Sequence, residues 1–227
     1  ASATYNGGAW FIDGSTVSLS SVTVSTPSTG ADGGGFYVDG HSSVTIDGGE
    51  VTDAQSTRYS TDGEGAGARI EGGSSVSFID FTFQDGLAYR GGAISVDSGA
   101  TVSLEAVTLD GNDATRSGGA LDLASSGVSA TCSSCTFSDN SAKEGGAVNV
   151  ESGASYDDDS GEYSGNIAQT GGAVYLQAEG SFLNSSFDGN EATTGPGGAI
   201  YGYLVNGTVT VQGGFFSSNL ASNNGGA

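Results

Sequence analysis

Residues 137–148 read FSDNSAKEGGAV: an aromatic residue, an asparagine three places on, then two glycines and an alanine ahead of an apolar position. Nearly the same phrase returns as YSGNIAQTGGAV at 163–174, FDGNEATTGPGGAI at 187–200 and FSSNLASNNGGA at 216–227. Self-similarity at a fixed period is the mark of a solenoid, in which each repeat buries its apolar face against its neighbours. The third residue of each glycine triplet serves as a marker: Ala9, Gly35, Gly67, Ala93, Ala120, Ala147, Ala173, Ala199 and Ala227. These markers lie 26, 32, 26, 27, 27, 26, 26 and 28 residues apart, which fits about eight coils of mostly 26–28 residues. The 32-residue interval places a loop insertion near 52–66, around DAQSTRYSTDGEG.

Inside a coil the period is two. AISVD, ALDLA, AVNVE and AVYLQ alternate inward Ile94/Val96, Leu121/Leu123, Val148/Val150 and Val174/Leu176 with outward polar residues. A second stretch such as TVSLEAVTLDGN, 101–112, points Val102, Leu104, Val107 and Leu109 inward. Helix formers are scarce and glycine frequent, so the repeats are strands and turns rather than helices. The expected fold is an all-β parallel β-helix spanning 1–227 as one domain, roughly 40 Å long at about 4.8 Å per layer.

In this fold the paired glycines allow positive φ or close approach to the next coil at a sharp corner. Tyr163, Phe187 and Phe216 stack on their copies inside the rod, with Leu109 in that place in an earlier coil. Asn112, Asn140, Asn166, Asn190 and Asn219 form a corner ladder, each amide bonding the next coil or its own turn.

The pairing of GGA plus Ile, Leu or Val with FxxN once per coil resembles the repeats of chlamydial polymorphic outer-membrane proteins, and more loosely the wider right-handed β-helix class. Both halves occur from about residue 91, at Gly91-Gly92-Ala93-Ile94, Gly118-Gly119-Ala120-Leu121, Gly145-Gly146-Ala147-Val148, Gly171-Gly172-Ala173-Val174 and Gly197-Gly198-Ala199-Ile200. The first three coils keep the glycines but carry Pro27, Ala54 and Gly86 where Asn would stand. The resemblance implies a right-handed coil, a secreted or cell-surface setting and, more distantly, adhesion; the C-terminal membrane barrel of that family has no counterpart pattern here.

Composition bounds the partners. The 227 residues include 41 Gly, 26 acidic and five basic residues and no Met, giving a net charge of −21. Such charge argues against nucleic acid and anionic membranes and favours cations, water and basic partners. No apolar run approaches the roughly 18 residues of a spanning helix, so direct membrane insertion is not expected. A Met-free chain points to a processed product or part of a larger one.

Aligning the coils stacks one outward column as Phe11, Tyr37, Arg69, Ser95, Asp122, Asn149, Tyr175 and Tyr201. Beside it run Asp13, Asp39, Glu71, Asp97, Ala124, Glu151, Gln177 and Tyr203. Four successive carboxylates repel one another across neighbouring strands. Asp13, Asp39, Glu71 and Asp97 are therefore candidate calcium ligands, although a solvated acidic face is the preferred reading. Phe11, Tyr37, Tyr175, Tyr201 and Tyr203 offer flat rings for glycans or a partner surface, or simply cross-strand packing. In SYDDDSGEY, Asp158 aligns with inward Leu104, so either the coil bulges here, the preferred reading, or a carboxylate enters the core. Asp157, Asp158 and Asp159, with Glu162, form a second candidate calcium group. Arg90, Arg116 and Lys143 precede successive triplets and should form a basic stripe, paired within the coil to Asp85, Asp113 and Glu144 or gripping a neighbouring acidic rod. Cys132 and Cys135, also on inward positions, fit a local disulfide at a corner in an oxidising compartment, with two buried thiols as the alternative. Asn184 in NSS and Asn206 in NGT are N-glycosylation acceptors for a eukaryotic secretory product.

Three function classes follow. A structural rod assembling head to tail is the first, its joint formed by Trp10 and Phe11 at one end and Phe215 and Phe216 at the other. A surface adhesin or glycan-binding module is the second. A polysaccharide lyase or hydrolase is the third and least supported, with Asp13, Asp39, Glu71 and Asp97 beside Arg69 as its nearest constellation and His41 lacking an evident acid or nucleophile partner.

Overall fold

The computed structural model describes residues 2–3, 6–56, 62–203 and 208–226. Every pairing in it is parallel and joins one coil to the next, as in Ile94↔Leu121↔Val148↔Val174. Three sheets run along the axis, of eight, thirteen and nine strands. Sheet 1 holds the strands that follow the glycine triplets, from Trp10–Asp13 to Ile200–Gly202. Sheet 2 starts as the ten-residue strands Thr16–Ser25, Ser43–Thr52 and Ser75–Gln84, then continues as pairs such as Thr101–Glu105 with Thr108–Asp110. Sheet 3 carries short strands after the asparagine corner, such as Leu87–Arg90, Asp113–Ser117 and Ser141–Glu144. The result is the expected β-helix of about eight turns, with no helix among the described residues.

Corners recur as columns of left-handed backbone. At the bend of sheet 2 stand Ser21, Gly48, Asp80, Ala106, Ser134, Ser160, Asn184 and Gly213, all with φ between 48° and 71°. Non-glycine residues seldom adopt this conformation, so its recurrence shows that stacking imposes one bend on every coil. The glycine pair divides its labour. Gly118 has φ 60°, and a Cβ there would lie 2.9 Å from the Cα of Asp122; Gly119 has an ordinary φ, but its Cβ would overlap the carbonyl oxygen of Gly146 in the next coil. The first glycine supplies the turn and the second the close approach.

Inside the rod, Phe137, Tyr163, Phe187 and Phe216 stack with centroids 4.7, 4.5 and 4.8 Å apart and planes within 9°. These distances equal the strand spacing, so each ring rides on its copy. Leu109 pairs in register with Phe137, and the earlier coils pack Phe36, Phe78, Phe81 and Phe83 in edge-to-face and tilted contacts. The asparagine ladder is buried beside them. Asn140 Nδ2 donates to Leu109 O at 2.9 Å and to Asn166 Oδ1 at 3.0 Å, while Asn140 Oδ1 accepts from Asn112 N and Nδ2 at 2.9 and 3.0 Å. Asn166 and Asn190 repeat the scheme, and Gly86 N closes the ladder on Asn112 Oδ1 at 3.0 Å. Of the 52–66 insertion, residues 57–61 lie outside the described residues; Gln55–Ser56 before them stays in sheet 3.

Candidate functional site

The outward column of sheet 1 has the expected register: Phe11↔Tyr37↔Arg69↔Ser95↔Asp122↔Asn149↔Tyr175↔Tyr201. It is not a surface. Tyr37, Arg69, Ser95, Asp122, Asn149 and Tyr175 are all buried. The physical cause is the acute turn at the triplet, which lays the residues before the glycines across the outer face of the strand after them. Ser117 stands beside Asp122 in this way, and Arg90 reaches Glu64, Asp122 and Glu151. A second, polar core therefore fills the re-entrant angle between sheets 3 and 1.

Arg69 lies at its centre. It pairs with Asp97 at 2.9 Å, with Glu71 at 3.1 Å and with Glu64, and donates to Ser95 Oγ at 2.7 Å. Tyr37 donates its hydroxyl to Glu71. Burial lowers the guanidinium's affinity for its proton, but Glu64, Glu71 and Asp97 more than restore it. Burial also works against Asp97 ionising, yet Ser125, the Ser98 N–H and Arg69 hold its carboxyl below the usual range. Arg90 donates to Glu151 at 2.8 Å and lies 3.8 Å from Asp122 Oδ2. Burial pushes Asp122 up to about 7 against the opposing pull of Arg90, Ser117 and Asn149.

The expected sites fare unequally. Glu71 and Asp97 are neutralised by Arg69, while Asp39 caps its own turn through Gly40 N at 2.6 Å and Asp13 is exposed. No group of three or more His, Cys, Asp or Glu among the described residues is arranged to hold a metal ion. Asp158 enters the core without any bulge, in register Leu104↔Cys132↔Asp158↔Phe182, which corrects the preference for a bulged turn. It accepts from Ser185 Oγ at 2.5 Å beside the Tyr156–Tyr163 hydroxyl pair, 2.6 Å apart, and burial raises it to about 6. Asp157 and Asp159 alternate to the exposed face of the same strand and so cannot share a cation with Asp158.

Among the aromatic candidates, Tyr37 and Tyr175 are buried, Tyr201 is half-buried, and Phe11 and Tyr203 are 58% and 59% exposed. Phe11 stacks on Tyr37 at 5.3 Å, and Tyr175 meets Tyr201 at 5.6 Å. Trp10 pairs in register with buried Phe36, Phe216 is half-buried on Phe187, and Phe215 is 64% exposed. The basic stripe is broken. A register shift in Asp113–Ser117 aligns Arg90 with Ser117 and Glu144, so Arg90 turns into the polar core, while Arg116 and Lys143 stay exposed and make no ion pair among the described residues. Pairing of the stripe to Asp85, Asp113 and Glu144 is thereby corrected; Asp113 instead accepts from Ser141 at 2.8 Å. Cys132 and Cys135 form a disulfide with Cα atoms 6.0 Å apart, spanning the left-handed Ser134. Asn184 is an exposed corner residue, and Asn206 lies outside the described residues. Sequence reasoning missed Glu64 and Glu151 as partners of the two arginines because those contacts cross the corner rather than follow a column.

The three-sheet parallel coil and its filled outer angle define a β-solenoid. The profile described as right handed beta helix region matches residues 4–216, and the chain belongs to that family. Neither the curated proteins nor the solved structures yield a match.

Proposed function

We propose that this β-helix is an extracellular structural rod, a stiff element of a surface assembly, rather than a polysaccharide-cleaving enzyme. Right-handed β-helices serve as surface proteins, adhesins and polysaccharide-active enzymes, so the site must discriminate among them. The observation that carries the reading is the filled re-entrant angle. The groups best suited to chemistry, Arg69, Glu71, Asp97, Arg90 and Asp122, are spent on one another, Arg69 and Asp122 buried and the other three half-buried, so that among the described residues they do not converge on an open cleft in which they could meet a sugar. The shallow depression lined by Tyr89, Arg116, Lys143, Glu144 and Gln169 holds a single carboxylate, and that lined by Asp157 and Glu179 carries its two on neighbouring strands of one exposed face rather than on facing walls.

Assembly would run head to tail. Phe11 and Phe215 are exposed on outward columns near opposite ends, where earlier or later coils carry mostly polar residues. Stacking one copy on another would continue the column Tyr175, Tyr201 into Phe11 and Tyr37 of the next. Electron microscopy of the purified chain tests this: rods longer than one subunit are expected, shortened to single particles by Phe11→Ser with Phe215→Ser. Single particles for the unmodified chain at high concentration would remove the filament reading, and turnover of any polysaccharide would remove the structural one. Exposed Tyr203 beside half-buried Tyr201 favours glycan binding as a second reading, tested by retention on polysaccharide columns before and after Tyr203→Ala.

A further inference from the structure

Among the described residues, the polar core between sheets 3 and 1 does not balance its charge. Five carboxylates, on Glu64, Glu71, Asp97, Asp122 and Glu151, meet two guanidinium groups, on Arg69 and Arg90. Four of the five sit within pairing distance of an arginine that they share on better terms than Asp122 does. Asp122 is wholly buried; its Oδ1 accepts from Asn149 Nδ2 at 2.7 Å, but its Oδ2 has no hydrogen-bond partner. Arg90 stands 3.8 Å from that oxygen, beyond a hydrogen bond, because its Nη1 is committed to Glu151 at 2.8 Å. The remaining neighbours are neutral: Ser117, whose hydroxyl faces Asp122 and favours its carboxylate without reaching full hydrogen-bond geometry, and Ser95 and Asn149 on the flanking strands. Glu64, on the segment before Ala68–Ile70, adds a second negative charge near Arg90.

A buried carboxylate left like this is costly, and the cheapest remedy is a proton. Because Oδ1 accepts from Asn149, the proton belongs on Oδ2, facing Ser117. We propose that Asp122 is a proton-operated clasp across the corner between sheets 3 and 1. As the neutral acid it leaves Arg90 free to tie Glu151 across the coils; as the carboxylate it competes for Arg90 and loosens the corner around Leu121–Leu123. The proton is exchanged with solvent when the corner opens, so no other reactant is required. An acid whose proton is held more tightly folded than unfolded contributes stability that is full below pH 4 and lost as pH rises toward about 7, above which the loss is complete.

The test compares the whole chain with Asp122→Asn, which keeps the Oδ1 acceptor and cannot ionise. Denaturant unfolding is followed from pH 4 to 8, with amide hydrogen exchange in Ile94–Val96, Leu121–Leu123 and Val148–Val150. Relative to the variant, the unmodified chain should lose up to about 1,000-fold in its folding equilibrium over this range, since each pH unit between the two titration points is worth tenfold. Other buried acids titrate equally in both chains and cancel. A carbon-detected titration of the unmodified chain gives the same answer without any variant, with the Asp122 carboxyl and the Arg90 side chain moving together between pH 6 and 8. A carboxyl that titrates near 4, or a variant with the parent's pH dependence, would overturn the clasp.

Discussion

Replacing Asn140 by Ala probes the interaction that locks one coil to the next. The substitution removes the Oδ1 that accepts from Asn112 N and Nδ2, at 2.9 and 3.0 Å, and the Nδ2 that donates to Leu109 O and Asn166 Oδ1. Asn112 is buried, so its backbone N–H and one amide hydrogen are left without a partner and without water. Each stranded donor costs about 1–3 kcal/mol, and the vacated volume adds to that, so the expected loss is about 3–5 kcal/mol. Asn219→Ala removes the equivalent acceptor from Asn190, but at a half-exposed position that water can reach, and should cost about 1–2 kcal/mol. Asn140→Asp keeps an acceptor for Asn112 yet turns a second oxygen toward Leu109 O and Asn166 Oδ1, so it should be as damaging as Ala at neutral pH and partly recover in acid. Guanidinium unfolding monitored by circular dichroism reads all three. Equal costs for Asn140→Ala and Asn219→Ala, or an Asp variant indifferent to pH, would refute the ladder as the source of the stability.

Other positions give equally direct tests. Gly119→Ala drives a Cβ into Gly146 O and should cost more than about 3 kcal/mol, whereas Gly127→Ala, with open space around it but a positive φ, should cost about 1 kcal/mol; thermal unfolding distinguishes them. Asp158→Asn should raise stability at pH 8 by up to about 3 kcal/mol and flatten its fall between pH 4 and 6, because a carboxyl raised to about 6 favours the folded state only while protonated. Loss of stability on Asn substitution at pH 8 would show that Asp158 is stabilising as the carboxylate. The Cys132–Cys135 bridge closes so short a loop that reducing it should cost only about 2 kcal/mol and leave the circular dichroism spectrum unchanged; collapse of the fold on reduction would contradict this.

How much was legible follows from which contacts are periodic. The coil spacing, inward positions, aromatic stack, asparagine ladder and disulfide all repeat with the chain's own period or lie within four residues, and each could be read from the spelling of the coils. The same alignment put Asp158 in line with Leu104, but the usual cost of a buried acid made a bulge look preferable; Ser185 from the next coil and the hydroxyl pair of Tyr156 and Tyr163 are what tolerate it. The outward column of sheet 1 was placed residue by residue, yet its burial was invisible. Alternation tells which face a side chain takes, not whether another segment covers that face. The cover depends on the acuteness of the glycine corner, and Arg90 joined it because one extra residue in Asp113–Ser117 shifts the register between neighbouring coils.

The asparagine ladder also has a direction. From Asn112 through Asn140, Asn166 and Asn190, each Nδ2 donates one hydrogen to Oδ1 of the next asparagine toward the C-terminus, ending on Asn219, while its other hydrogen returns to a backbone carbonyl of the preceding coil. The carboxamide dipoles therefore add head to tail along the rod, each polarising the next. This file of aligned dipoles makes the interior electrically vectorial even though the strands are short and the coils nearly identical. A duplicated coil bearing Asn could be spliced anywhere within the file without disturbing its sense, whereas a coil lacking it would divide the file into two weaker halves.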